Sequence, residues 1–156
     1  MKKNNRKSAF SIIEIIITIA VGLILFTIAT FAFTGMRNRQ ALDATVEQIS
    51  STIQNSQAKT LASKKSKNYG VHFETNRLVI FEGNAFIEPN ATNKEIKFSN
   101  LTEISTISLN GGGQNVIFER LTGETNQYGA ITVRVRNDAS DAKTITIEKT
   151  GGVSIE

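Results

Sequence analysis

Ser8-Ala9-Phe10-Ser11-Ile12-Ile13-Glu14 opens an apolar run that continues to Phe33, and the reading of that run decides what the rest of the chain must be. From Phe10 to Phe33 there are 24 residues, with Glu14 as the only ionisable side chain. At about 1.5 Å rise per residue such a helix reaches roughly 36 Å, more than a hydrocarbon core of about 30 Å. The run can therefore span a bilayer. Lys2, Lys3, Arg6 and Lys7 precede it, and positive residues before an apolar segment predict that this end stays in the cytoplasm and the following domain lies on the far side. A carboxylate near the centre of a span costs about 2.5–3.5 kcal/mol, less toward an end, and such groups usually have a partner or a purpose.

Other readings fit the run less well. A cleaved secretory signal has a shorter apolar core, of about 7–15 residues, with small residues before its cut. Here the run is longer, carries Glu14, and offers only a poor downstream cut around Thr30 to Ala32. A buried core helix of this hydrophobicity does not suit so short a chain. A plain signal anchor leaves Glu14 unexplained.

Composition narrows the partners. The chain has 156 residues, 18 basic and 14 acidic, for a net charge of +4. The four basic residues before the run supply all of it, because 14 basic and 14 acidic residues remain without them. A neutral domain has no broad field to steer a polyanion, so nucleic acid is not an expected partner. With no cysteine there is no disulfide to report the redox compartment. One small domain behind an anchor is the economical organisation.

After Phe33 the chain turns polar without a proline, and Leu42, Val46, Ile49 and Ile53 recur at three- and four-residue spacing, with Ala58, Leu61 and Ala62 extending the stripe. That pattern predicts an amphipathic helix. Only Gly35 interrupts the passage from the apolar run, so one helix should carry both halves and end near Ser63 to Lys67. Lys59, Lys64, Lys65 and Lys67 sit where cations favour a helix C-terminus. From Tyr69 the period becomes alternating. Residues 69–74 and 77–82 flank a Thr75-Asn76 turn and predict a hairpin. Gly83 to Asn93, with the single Pro89, reads as a loop. Further strands are expected at 95–99, 104–109, 116–120, 130–136, 143–148 and 153–155. Ile131, Val133 and Val135 alternate with Thr132, Arg134 and Arg136, which places the first set inward and the second on a wet face.

No catalytic constellation emerges, and neither a cofactor nor a metal is expected. His72, the one histidine, stands in a strand as Val71-His72-Phe73 and lacks the companions a zinc site needs. Asn110-Gly111-Gly112-Gly113 lacks the lysine and helix of a phosphate loop and reads as a turn. Asp138 and Asp141 offer too few oxygens for calcium and read as a hairpin loop. Arg134, Arg136 and the lysines near 64 read as solvated faces, and they are the only motive for an adhesive or DNA-binding tip module.

Glu14 differs because its setting is expensive. A cut between Ala9 and Phe10 would give Phe10 a new amino group at the start of the apolar helix, with Glu14 as its fifth residue, about one turn away. Between two chains stacked with a small axial offset, the carboxylate of one could meet the amine of the next. In a low-dielectric setting such a pair is strongly selected over an unpaired charge, and it would fix register during assembly.

A basic leader, a small residue, then Phe10-Ser11-Ile12-Ile13-Glu14 and a long apolar helix resembles the class III signal of type IV pilins and pseudopilins. The resemblance implies cutting between Ala9 and Phe10 by a prepilin peptidase, N-methylation of Phe10, and Glu14 as the assembly carboxylate. Ala9 stands where the family usually has glycine. More loosely, Leu42 to Ala62, Tyr69-Gly70-Val71-His72-Phe73, Val116-Ile117-Phe118 with Gly123, and the closing Ile145-Thr146-Ile147 and Gly151-Gly152-Val153 resemble the GspH/FimT-type minor pseudopilins. The implied fold is α+β, a long N-terminal helix whose second half packs on an antiparallel β-sheet domain. Its implied divisions are a leader at 1–9, a transmembrane and assembly helix at 10–34, the amphipathic half at 35–67 and the β domain at 68–156. The resemblance also implies a non-enzymatic filament subunit of a type IV pilus or type II secretion pseudopilus. Its partners would be other pilin subunits, the prepilin peptidase, an inner-membrane assembly platform and, before assembly, the lipid bilayer.

Overall fold

A computed structural model describes residues 10–62 and 66–156. It divides into two units, Met1–Arg37 and Asn38–Glu156. Helix α1 runs Ile12–Leu61 and belongs to both.

In the first unit the described helical residues are all exposed, and the mean hydropathy of the apolar window is 2.7. Isoleucine-rich sequence is a mediocre helix former in water, but within lipid every backbone polar group must be satisfied inside the segment, which a helix does. The run's hydroxyls follow the same rule. Thr18 donates to the Ile15 carbonyl (2.9 Å), Thr27 to Ile24 (2.7 Å), Thr30 to Thr27 (2.7 Å) and Thr34 to Thr30 (3.0 Å). Each of these four hydroxyls is thus spent on the helix's own backbone and adds little to the cost of placing the run in an apolar medium.

In the second unit the helix shows the expected stripe and then departs from it. Leu42, Val46, Ile49 and Ile53 are buried, but the next positions on that face are Ser56 and Thr60, while Ala58, Leu61 and Ala62 are exposed. The expectation followed hydrophobicity where the helix follows spacing. Ser56 and Thr60 are tolerated inside because their hydroxyls donate to the carbonyls of Thr52 (2.9 Å) and Ser56 (3.0 Å). The Thr60 oxygen also accepts the Tyr69 N–H at 3.0 Å, tying the helix to the first strand. The helix is described to Leu61; the expected end near Ser63 to Lys67 falls partly on residues 63–65, which lie outside the described residues.

The β domain is two antiparallel four-stranded sheets. Strands β1 (Tyr69–Phe73), β2 (Arg77–Glu82), β3 (Lys94–Lys97) and β5 (Asn115–Ile117) form one in the order β3-β2-β1-β5. Strands β4 (Thr102–Leu109), β6 (Gly129–Val135), β7 (Asp138–Ile147) and β8 (Val153–Ile155) form the other in the order β4-β6-β7-β8. The predicted β1–β2 hairpin is present, with Phe73 opposite Leu78 and the Glu74 N–H bonded to the Arg77 carbonyl across Thr75-Asn76. That turn also receives the N–H groups of Phe98 and Ile104, joining the sheets. One core takes the helix stripe, Val71, Phe73, Leu78, Val116 and Phe118 from the first sheet side, and Ile131, Val133, Val135, Ile145 and Ile147 from the second.

Two strand expectations are corrected. Asp138 and Asp141 lie in β7, not in a hairpin loop, because the turn is Arg136-Asn137 and a register shift at Arg134/Val135 lets pairing resume at Asp138. Strand β5 stops at Ile117 rather than running to Arg120, since the Glu119 N–H bonds to Glu124 and the Gly123 N–H to Glu119, closing a tight turn.

Gly70 faces Phe81 directly across β1 and β2, and a Cβ at Gly70 would strike the Phe81 ring. Phe86, from the β2–β3 loop, meets Phe81 edge-on and stacks on His72 at 3.9 Å, so the loop roofs this spot. Overpacking such a site costs about 1–3 kcal/mol. Gly70→Ala should lower stability by that amount in denaturant titration of the full chain in micelles; an unchanged midpoint would show that the ring moves aside freely.

Candidate processing and assembly site

Ala9 lies outside the described residues, so the site is described from Phe10 onward. Ser11 precedes the helix, and its carbonyl accepts the N–H groups of Glu14 (3.0 Å) and Ile15 (3.2 Å), which starts the first turn. Phe10 stands just before that turn and is exposed. Glu14 falls within the turn, where unpaired N–H groups and the helix dipole favour a negative charge. Backbone and sequence together put an acid at the positive end of an apolar helix, one turn from the residue that a cut after Ala9 would make first. This arrangement can hold a carboxylate toward a neighbouring ammonium.

The remaining candidates are occupied by the fold. His72 stacks on Phe86 and its Nδ1 lies 2.6 Å from the Asn115 Oδ1. Gly111 and Gly112, both at positive φ, form the turn between β4 and β5. The Asp138 carboxylate accepts the N–H and hydroxyl of Ser140, and these bonds hold its carboxyl below the usual carboxylate range. Among the described residues no group of three potential metal ligands occurs. Arg134 donates twice to Glu103 (2.9 and 2.8 Å), while Arg136 donates to Asn76 (2.6 Å) and lies 3.7 Å from Glu103. Lys67 pairs with Glu82 at 2.9 Å, and Lys59 lies over the Tyr69 ring. Lys64 and Lys65 are outside the described residues.

One cluster escaped the sequence reading. Arg77 donates to Glu74 through two nitrogens (2.8 and 2.7 Å), to Glu88 (3.2 and 3.0 Å) and to Glu95 (3.2 Å). It clasps the β2–β3 loop and β3 to the hairpin. The only legible signal is Glu74 beside the Thr75-Asn76 turn; Glu88 and Glu95 arrive by tertiary return of the chain. Hydrogen bonds from Arg77 hold the Glu74 carboxyl below its ordinary value, against an opposing effect of burial and with smaller pulls from the Arg77 and His72 charges. A carboxyl depressed by folding stabilises above its unfolded pKa, about 4.3, and that contribution is lost as pH falls through the lower folded value. Stability should therefore decline below about pH 4.3, by roughly 1 kcal/mol or less for a pair this open to solvent. Arg77→Met should flatten that part of the pH profile, which urea titrations at several pH values would measure.

The fold is a helix apolar all round in its first half and amphipathic in its second, followed by an antiparallel β domain. Residues 4–30 match the prokaryotic N-terminal methylation motif. The type IV minor pilin FimU of Pseudomonas aeruginosa superposes with a TM-score of 0.58 at 10% identity, over 76% of this chain and 90% of that one. The minor pseudopilin EpsH from the type II secretion system of Vibrio cholerae superposes with a TM-score of 0.56 at 11% identity, over 75% and 94%. No curated protein matches the chain by sequence. At such identities the superpositions speak for the fold, and the motif speaks for the N-terminus.

Proposed function

We propose that this chain is a non-enzymatic minor subunit of a type IV pilus or a type II secretion pseudopilus. The methylation motif over residues 4–30 carries the reading, because it joins a basic leader to an apolar helix with an acid in its first turn. In this reading residues 1–9 are a leader that a prepilin peptidase removes between Ala9 and Phe10, and Phe10 is then N-methylated. Residues 10–34 hold the subunit in the inner membrane, with 35–67 and the β domain at 68–156 outside the cytoplasm. An inner-membrane assembly platform then moves it into a filament of related subunits, where Glu14 meets a neighbour's Phe10 amine. The tip-module alternative draws no support from Arg134 and Arg136, which are engaged by Glu103 and Asn76. Expression in a host with a working filament machine tests the proposal: the chain should appear in the sheared filament fraction, and confinement to the membrane fraction would contradict it.

A further inference from the structure

Beside the free edge of β5 lies an open depression of about 420 Å³, floored by Ile117 and walled by Asn68, Asn84, Asn126, Gln127 and the adjacent Glu119 and Arg120. Its size is within the roughly 300–1,000 Å³ of small-molecule sites. Its wall is more polar than apolar, which favours a polar ligand with some apolar surface of its own.

The wall groups are fixed by bonds to one another. Gln127 Oε1 accepts the Ile117 N–H (3.2 Å) and the Thr125 hydroxyl (3.3 Å), which sets the amide's orientation and leaves Nε2 as its free end. Asn68 Nδ2 donates to Asn84 Oδ1 (2.7 Å), leaving Asn84 Nδ2 and the side-chain oxygen Oδ1 of Asn68. Asn126 Nδ2 donates to Glu119 Oε1 (3.0 Å), leaving the side-chain oxygen Oδ1 of Asn126 and the second Glu119 oxygen. Arg120 is held by the Ser66 carbonyl (3.1 Å) and keeps further N–H groups. Residues with both donors and acceptors to spare therefore line the same depression, and Glu119 and Arg120 cancel in charge.

The geometry points to a binding site for a neutral sugar unit. Each hydroxyl of a pyranose both donates and accepts, which suits a wall offering both kinds of group, and its C–H face suits Ile117. A net-neutral wall selects neither an anion nor a cation. Because the depression is open and the amides are preorganised, binding costs little rearrangement but leaves one side of the sugar in water, which limits affinity.

The inference stands apart from the filament reading, since binding is measured on the unassembled chain. The full chain, held in dodecylphosphocholine micelles to avoid sugar headgroups, is mixed in turn with glucose, galactose, mannose, N-acetylglucosamine and N-acetylgalactosamine, and saturation transfer to ring protons is recorded by NMR. At least one sugar should receive saturation. The double variant Asn84→Ala/Asn126→Ala, altering two exposed side chains, should weaken its binding about tenfold or more. Asn100→Ala, an exposed amide outside the depression, should leave binding unchanged. Absence of transfer to all five sugars, or equal transfer in the double variant and wild type, would overturn the inference.

Discussion

Glu14→Ala is expected to leave membrane insertion intact and to remove the subunit from filaments. Insertion should survive because the substitution deletes the only ionisable group between Phe10 and Phe33, and removing a charge from a spanning helix lowers the cost of placing it in lipid. Assembly should fail for the opposite reason. In the proposed filament the Phe10 ammonium of one subunit is neutralised by Glu14 of another. Removing one partner of such a buried pair leaves an uncompensated charge, at about 3–5 kcal/mol. That is more than about a hundredfold in the association equilibrium. The measurement is the ratio of subunit in sheared filaments to subunit in membranes, compared between wild type and variant. Equal ratios would remove the role assigned to Glu14.

Phe118→Ala carries the largest expected effect on folding. Phe118 is fully buried just past β5, its N–H bonds to the Tyr69 carbonyl at 3.1 Å, and its ring belongs to the core shared by the helix and both sheets. Truncating a buried Phe costs about 3–5 kcal/mol, combining lost burial with the cavity left behind. Small domains have only about 5–15 kcal/mol to lose. The variant should therefore unfold at much lower denaturant than wild type. Neighbouring Ile117 is half-buried on the opposite face, so Ile117→Ala should cost less. Equal losses at the two positions would contradict the inward placement of Phe118 and the outward placement of Ile117.

The features read correctly from sequence are those governed by short spacing. The apolar run is legible because nothing in it competes with helix, and the β1–β2 hairpin because a two-residue turn separates two apolar strands. Ile131, Val133 and Val135 alternate cleanly and are all buried. The helix face misled at Ser56 and Thr60, since a polar label hides a hydroxyl that is already satisfied by the carbonyl one turn earlier. The split into two sheets was not legible, because β5 pairs with β1, and the partner of a strand is set by core closure rather than by local pattern. The Arg77 cluster was hidden for the same reason, as were the amides beside β5. At the N-terminus the motif itself was plain in Phe10 to Glu14, but the proposed cut and the proposed neighbouring subunit are not properties of the folded chain alone.

The central claim is that this chain is made to be cut and assembled, and its first step can be weighed directly. Mass spectrometry of the chain coexpressed with a prepilin peptidase should find a mature N-terminus at Phe10 carrying one added methyl group. An intact leader ending in Ala9, still joined to Phe10, would contradict the account and leave the apolar helix as a plain anchor.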